Sequence, residues 1–275
     1  MKTIFYLIVS CIIIQNIYAA QYNYQTPEDF WNDVTPIKGP TKVDVGYNAE
    51  IKIPEGYIFL NREDSEKFYA FTKNLYNNTA IGTLVSLSNG WFVLFSYINS
   101  GYIKEEKIDS NALFKTMKSG EAENNRQREK LGYQKIYLQD WFIKPLYNPM
   151  SNNLEWAFLL KQEDGRNVVN YDVRILGRRG YIIAQLAMSP SQKTAISEFQ
   201  NILSDLTFKE GSRYAEWKPG DKVAKYGMAA LITGGVITVA AKTGILAKFW
   251  KLIVFGIVAI FSAILKILKK IAGKD

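Results

Sequence analysis

Two uncharged apolar runs lie close to the C-terminus of the chain, and lysines flank both of them. The first segment, 223–241, has one lysine near its start and then sixteen residues without charge. The second run, 252–265, holds fourteen uncharged residues. Runs of this length and composition are typical of helices that cross or lie on a membrane. We therefore expect a transmembrane helix at 223–241 and a second transmembrane or membrane-surface helix at 245–268.

The arrangement of the second run is open. A hairpin in which both helices cross the bilayer is favoured by the unbroken apolar core of 252–265. A basic segment on the cytoplasmic leaflet is favoured by the excess of lysine in the tail. Burial of both runs inside a soluble domain is the third arrangement. The Gly234-Gly235 pair would allow close helix packing, either within a hairpin or in a homo-oligomer formed through the anchor.

The first twenty residues form a further apolar segment, with one lysine at position 2 and the small residues Ala19 and Ala20 at its end. This order is typical of a secretory signal peptide. We place the signal peptide at 1–19, with cleavage after Ala19. An uncleaved membrane helix and lipid attachment at Cys11 are the alternatives.

The net charge of +8 is concentrated at the C-terminal end. Residues 222–275 contain nine lysines and one acid, whereas 20–221 contain 24 bases and 25 acids. A nearly neutral domain is a poor match for nucleic acid, so we expect no nucleic-acid partner. Cys11 is the single cysteine and the chain has no histidine. Once residues 1–19 are removed, the residues needed for disulfides, thiolate nucleophiles, histidine-based triads and His or Cys metal sites are missing. We therefore expect no metal and no cofactor.

The middle of the chain, residues 21–217, is typical of one folded domain. Its order of strands and helices predicts an α+β fold, with a mainly antiparallel sheet and flanking helices. The predicted elements are strands within 43–60, a helix at 64–76, a hairpin around Ser88-Asn89-Gly90, a helix at 112–132 with a break at Gly120, three antiparallel strands within 154–188 and a helix that begins at Pro190.

Short motifs follow one another in the second half of the chain, among them Leu154-Glu155-Trp156-Ala157, Gly177-Arg178-Arg179-Gly180 and the DKVAKYG run at 221–227. With these motifs the chain resembles, over most of its length, a family of predicted bacterial membrane-anchored proteins known as domain of unknown function 2167. The resemblance implies an envelope location and no activity. The IPEGY run at 53–57 and the SDLTF run at 204–208 also resemble PsbP-like and Mog1-like domains, which implies a fold and not a function.

Two sets of side chains in or beside the predicted meander are candidates for ligand binding. Arginine forks match phosphate or carboxylate groups, so the arginines predict an anion site for lipid headgroups or envelope polymers. A charged, exposed turn is the alternative. The aromatic residues predict either a stacking platform for sugars or part of the core. The arginines are Arg166, Arg174, Arg178 and Arg179, and the aromatics are Trp141, Tyr147, Trp156 and Tyr171.

Three functions remain open on these patterns. The leading hypothesis is a membrane-anchored periplasmic binding or scaffolding module of the bacterial inner membrane, with an envelope protein or glycan as partner. The alternative is a carboxylate-dependent hydrolase of envelope polymers, whose two acids would lie about 5 or 9 Å apart. An accessory protein that works through the anchor itself is the third. The acids considered for hydrolysis are Asp140, Glu155, Asp164 and Asp172.

Overall fold

The computed structural model describes residues 22, 24–74, 78–192 and 194–233. In this part of the chain the helices are α1 (Pro27–Asp33), α2 (Arg62–Phe71), α3 (Ser110–Lys130), α4 (Ala195–Ser204) and α5 (Met228–Thr233). The strands are β1 (Ile37–Lys38), β2 (Thr41–Gly46), β3 (Ala49–Ile53), β4 (Tyr57–Leu60), β5 (Ala80–Ser86), β6 (Phe92–Ile98), β7 (Ile136–Asn148), β8 (Asn153–Gln162), β9 (Asn167–Leu176), β10 (Tyr181–Met188) and β11 (Thr207–Phe208).

The strands form one large sheet and one small sheet. The large sheet has the order β1-β4-β5-β6-β10-β9-β8-β7, and the small sheet has the order β11-β3-β2. Every neighbouring pair in both sheets is antiparallel. The predicted α+β fold, with a large antiparallel sheet and flanking helices, is therefore confirmed.

The register of the β8-β9-β10 meander aligns three polar or aromatic side chains. Trp156 lies opposite Asp172 on the neighbouring strand, and Asp172 lies opposite Gln185 on the next. Residues that are directly opposite in an antiparallel pair point to the same face of the sheet. The meander thus presents a row of Trp156, Asp172 and Gln185 on one face.

The two faces of the large sheet carry different layers. On the first face, Tyr171 and Leu186 belong to the main core together with Phe199 of α4 and Ile51 of the small sheet. Strand side chains alternate between faces, so residues such as Trp156 lie on the second face. There, Trp156 and Phe158 share a second cluster with Leu113 of α3 and Met228 of α5, all of them buried. The row of Trp156, Asp172 and Gln185 is therefore covered by helices α3 and α5.

Strand β7 is absent from the sequence prediction. Its pairing with β8 shifts register at three places, between Leu138 and Asp140, between Trp141 and Ile143, and between Ile143 and Leu146. Each irregularity breaks the alternation of apolar and polar residues by which a strand is recognised. Pro145 lies in the same run and further weakens a strand prediction.

Helix α3 runs without interruption through Gly120, so the predicted break is wrong. Side chains on this polar helix bond to the backbone of β7. Asn125 Nδ2 donates to Ile136 O at 2.9 Å, and Ile136 N donates to Asn125 Oδ1 at 2.9 Å. One turn earlier, Leu138 N donates to Glu121 Oε2 at 2.5 Å. These contacts satisfy backbone groups of an edge strand that would otherwise be unpaired, and they stabilise the helix across its glycine.

Gly120→Ala is expected to raise the free energy of unfolding by roughly 0.5–1 kcal/mol, because glycine in an exposed helix interior is less favourable than alanine. A Cβ at this position has no neighbouring atom within 4 Å, so no clash offsets the gain. Urea unfolding of the full chain in detergent, followed by circular dichroism, measures the change. The adjacent exposed variant Ser119→Ala serves as a control, with an expected change of about 0.5 kcal/mol or less. A loss of stability in Gly120→Ala would contradict the uninterrupted helix.

The predicted helix at Pro190 begins later in the structure. Gln192 N donates to Ser189 O at 3.0 Å, and Ser189 N donates to the Gln192 side chain at 2.6 Å. These two bonds close a turn at the position where the sequence predicts the first helical turn. Helix α4 consequently begins at Ala195.

The helix predicted from Val223 begins at Met228. Tyr102 N donates to Lys222 O at 2.8 Å and Ala224 N donates to Tyr102 O at 2.9 Å, so the start of this segment is extended and bonded to the domain. Each helix within the described residues is too short or too polar to cross a bilayer. The predicted signal peptide at 1–19, residues 234–241 and the predicted helix at 245–268 lie outside the described residues.

Candidate ligand cavity

A cavity of about 510 Å³ lies on the second face of the large sheet, under α3 and α5. Its lining includes residues of β6, β10, β9, β8 and β7, which are five adjacent strands. Four strand spacings correspond to a length of roughly 19 Å across the sheet. The lining therefore spans most of the second half of the large sheet. Its apolar lining includes Phe92, Leu94, Met117, Phe158, Leu160 and Ile232.

A buried ion pair forms part of the cavity floor. Asp172 and Arg174 are 3% and 6% exposed, and both line the cavity. Arg174 Nη1 donates to Asp172 Oδ1 at 3.0 Å, and Gln185 Nε2 donates to the same oxygen at 2.9 Å. Asp172 and Arg174 are two residues apart on β9, so strand alternation places both side chains on the same face.

The Trp156 side chain completes the floor. The Arg174 guanidinium carbon lies 4.5 Å from the centroid of the Trp156 ring, at the distance of a cation–π contact. Within the part of the chain that the structure describes, Arg174 Nε and Trp156 Nε1 are shielded from water and have no hydrogen-bond partner. A buried donor without an acceptor costs free energy, and such groups are rare in native proteins. Both unsatisfied donors belong to side chains that line the cavity.

Opposing effects act on the floor pair, and on balance the pKa of the Asp172 carboxyl is raised. Burial raises the pKa of the Asp172 carboxyl, while Arg174 and then Gln185 oppose that rise. An arginine guanidinium keeps its proton in proteins. Neutral Asp172 would leave Arg174 as an unpaired buried cation, which is costly. We therefore describe the pair as Asp172 carboxylate and Arg174 guanidinium at neutral pH.

Arg128 is the second arginine of the cavity lining, and it lies in the last turn of α3. Its Nε donates to Gln134 O at 2.6 Å and its Nη2 donates to Lys73 O at 3.3 Å. Burial lowers the pKa of Arg128. The side chain thus connects the end of α3 to two loops beside the cavity.

The predicted aromatic platform does not assemble as one surface. Trp156 lies in the cavity floor, while the Trp141 ring stacks on Phe158 with centroids 4.6 Å apart. Tyr147 donates its hydroxyl to Glu105 Oε1 at 3.0 Å, and desolvation is the main cause of its raised pKa. Tyr171 belongs to the core on the opposite face of the sheet. Of these four aromatics, Trp156 alone lines the cavity.

The predicted arginine cluster is likewise divided. Arg174 is buried in the cavity floor, whereas Arg179 is exposed in the turn between β9 and β10. Arg178 donates from Nε and Nη2 to the two carboxylate oxygens of Asp221, at 2.6 and 2.8 Å. This bidentate pair ties the turn to the segment that follows the Lys218-Pro219-Gly220 run. Arg166, in the turn between β8 and β9, pairs with Asp164.

The Arg178–Asp221 pair predicts a dependence of stability on pH. Hydrogen bonds from Arg178, and then from the Lys218 backbone, lower the pKa of Asp221 from 3.8 to about 2. A carboxyl with a depressed folded-state pKa stabilises the fold above its unfolded pKa, and the contribution is lost as the folded-state pKa is approached. We expect the stability of wild type to fall between about pH 4 and pH 2 more steeply than that of Asp221→Asn. Urea unfolding at a series of acidic pH values measures this dependence. If the free energy of unfolding falls with pH equally steeply in wild type and Asp221→Asn, this role is contradicted.

The acids considered for hydrolysis occupy separate places. Glu155 accepts a hydrogen bond from the Tyr171 hydroxyl, which belongs to the first face, whereas Asp172 lies on the second face. Asp164 lies in the β8–β9 turn, and Asp140 is exposed on β7. The fold therefore does not bring Glu155, Asp164 and Asp172 together around one substrate.

Several lining residues were not among the sequence candidates, notably Gln185, Asn170 and Arg128. A signal for two of them is present in the sequence. Gln185 interrupts the apolar run YIIAQLAM of β10, and Asn170 precedes Asp172 and Arg174 at alternate positions of β9. Polar side chains that recur on one face of a core strand indicate a polar floor.

A family model described as "Protein of unknown function (DUF2167)" matches residues 37–266. The chain belongs to this family. No curated protein matches the DUF2167 chain. Among solved structures, it resembles cyanobacterial PsbP (CyanoP) from Synechocystis sp. PCC 6803, with 13% identity, a TM-score of 0.38 and coverage of 62% of this chain and 92% of that chain. It also resembles the Ran-binding protein Mog1p of Saccharomyces cerevisiae, with 10% identity, a TM-score of 0.34 and coverage of 62% and 96%.

Proposed function

We propose that this DUF2167 protein is a membrane-anchored periplasmic binding module of the bacterial cell envelope, and that the cavity on the second face of its sheet is the binding site. The location is supported by two sequence patterns, the signal-like segment at 1–19 and the apolar runs after residue 223. The binding role is supported by the geometry of the cavity floor.

The observation that carries the binding role is the Asp172–Arg174 pair at the floor of a 510 Å³ cavity. Ligand sites are concave and mostly apolar, with a few polar groups that fix orientation. A buried ion pair is weak support for stability, since apolar residues of similar volume often stabilise a core as well or better. The pair is therefore better explained by recognition of a ligand than by folding.

Binding without turnover is favoured over hydrolysis. The acids that a hydrolase would need lie on opposite faces of the sheet and in a turn, and within the described residues no group of three or more metal-binding side chains occurs. Cleavage of an envelope polymer by the purified chain, lost in Asp172→Asn, would overturn this assignment.

In-cell photocrosslinking tests the binding role. A photoreactive amino acid at Gly120 would stand at the cavity, where a side chain meets open space. The matched control carries the same amino acid at the exposed Arg179, in the arginine turn that the sequence favoured. We expect Gly120 to capture a specific envelope component that Arg179 does not. Equal capture profiles at the two positions would contradict a binding role for the cavity.

Fractionation tests the location. We expect the full chain in the inner-membrane fraction, with its domain cleaved by added protease only after the outer membrane has been permeabilised. A domain that remains protected until the inner membrane is lysed would contradict the periplasmic assignment.

A further inference from the structure

The cavity floor offers one hydrogen-bond acceptor and one donor side by side. Both hydrogen bonds accepted by Asp172 end on Oδ1, and both donated by Arg174 come from Nη1. Within the described residues, Asp172 Oδ2 and Arg174 Nη2 are thus left for a ligand. An adjacent acceptor and donor match a ligand group that itself carries both, such as a hydroxyl beside an ester or an amide.

The charge of the cavity floor is balanced, because Asp172 is paired with Arg174. Two further charged residues line the cavity away from this pair. Glu121 is paired with Lys118 at 2.9 Å, and Arg128 donates to the backbone oxygens of Gln134 and Lys73. A ligand with a net charge would bring an uncompensated charge onto a floor that is already neutral, which is unfavourable in a buried site.

Apolar side chains beside the floor are suited to the chain of an amphiphile. They are Phe92, Leu94, Leu138, Phe158 and Leu160, and they share the lining with polar residues such as Asn74, Asn124 and Asn170. The lining covers five strands, which corresponds to roughly 19 Å across the sheet. The polar floor at Asp172 is on the central strand of these five. Asp172 and Arg174 are 3% and 6% exposed, so the polar groups of the floor are buried within the fold.

From these observations we infer that the cavity binds a single-chain amphiphile with an uncharged polar head, of the monoacylglycerol type, and discriminates against the corresponding carboxylate. The head bonds to Asp172 Oδ2 and Arg174 Nη2, and the chain lies along the apolar lining. This inference rests on the proposed function, because a binding role for the cavity is its premise.

Two matched probes test the selectivity. They are 1-decanoylglycerol and decanoate, each with a diazirine in the chain, added to the full chain in phosphatidylcholine nanodiscs. After illumination, mass spectrometry measures the labelling of peptides that line the cavity. The ratio of ester to acid labelling is compared between variants, so that different partitioning of the probes into the nanodisc cancels.

We expect ester labelling to exceed acid labelling in wild type. Asp172→Asn keeps the shape of the floor but leaves it positive, so the ratio of ester to acid labelling falls at least tenfold. Arg174→Gln leaves the floor negative, and the ratio rises. Trp156→Phe keeps the charge of the floor and an aromatic ring beside Arg174, so it serves as the control and the ester preference is retained.

The inference would be overturned if decanoate labelled wild type to the same extent as 1-decanoylglycerol. It would also be overturned if the ratio of ester to acid labelling were unchanged in both Asp172→Asn and Arg174→Gln. If neither probe labels the peptides that line the cavity, the assignment of the ligand to the single-chain amphiphiles is overturned. The Gly120 crosslinking experiment separates that result from failure of the proposed function. Capture at Gly120 without labelling by these probes means a different ligand, whereas no specific capture at Gly120 contradicts the binding role itself.

Discussion

Arg174→Met is expected to lower the free energy of unfolding by about 3–5 kcal/mol, because it leaves the Asp172 carboxylate buried without its cationic partner. Asp172 is 3% exposed, so water does not replace the lost interaction. Urea unfolding of the full chain in detergent at pH 7 measures the loss. We expect the loss to shrink as the pH falls, since protonation of Asp172 removes the unpaired charge.

The double variant Asp172→Leu with Arg174→Met is the control for this prediction. It removes both charges, and exchange of a buried ion pair for apolar residues is often neutral or stabilising. We expect its stability to be within about 1 kcal/mol of wild type, or higher. A single Arg174→Met variant as stable as wild type would contradict a buried ionic pair. A double variant as unstable as the single one would mean that the pair is required for folding.

Asn125→Leu is expected to lower the free energy of unfolding by about 2–4 kcal/mol, because each of two backbone groups of Ile136 loses its partner. The asparagine is 7% exposed and bonds to both Ile136 N and Ile136 O at 2.9 Å. Leucine has the same branching and the same number of heavy atoms as asparagine, so the change reports mainly on the lost hydrogen bonds. Urea unfolding under the same conditions measures the effect.

Its neighbour on α3, Asn124, provides the matched control. Asn124 is exposed, so Asn124→Leu is expected to change stability by about 0.5 kcal/mol or less. Equal effects of the two substitutions would show that helix propensity, rather than the contact with β7, determines the result.

The sequence predicts the meander and the hairpin well because their signals are local. The Ser88-Asn89-Gly90 turn connects β5 and β6 as predicted, with Gly90 at φ +64°. Strand β7 could not be predicted, because its register shifts break the alternation on which the signal depends. The continuity of α3 through Gly120 could not be predicted either. The helix is stabilised by side chains that bond to the backbone of β7, and this contact is distant in sequence.

The candidate site could be predicted only in part. Trp156 and Arg174 are both among the sequence candidates, but the sequence assigns Trp156 to an aromatic platform or the core and Arg174 to a separate anion site or an exposed turn. The structure places both in one floor. Alternation along β9 shows that Asp172 and Arg174 share a face. It does not show that a helix covers that face, because α3 is itself mostly polar and has the composition of a solvent-exposed helix. Helix α3 covers the Asp172–Arg174 pair, and for this reason the pair is buried rather than exposed on the sheet surface.

Native mass spectrometry of the full chain, purified in mild detergent, tests the central claim that the cavity is a ligand site. The comparison is between wild type and Gly120→Trp, a large substitution in the cavity lining at a position where a Cβ has no neighbouring atom within 4 Å. We predict that wild type carries a bound small molecule and that Gly120→Trp, with an unchanged circular dichroism spectrum, does not. The same bound molecule in both proteins, or in neither, would contradict the claim.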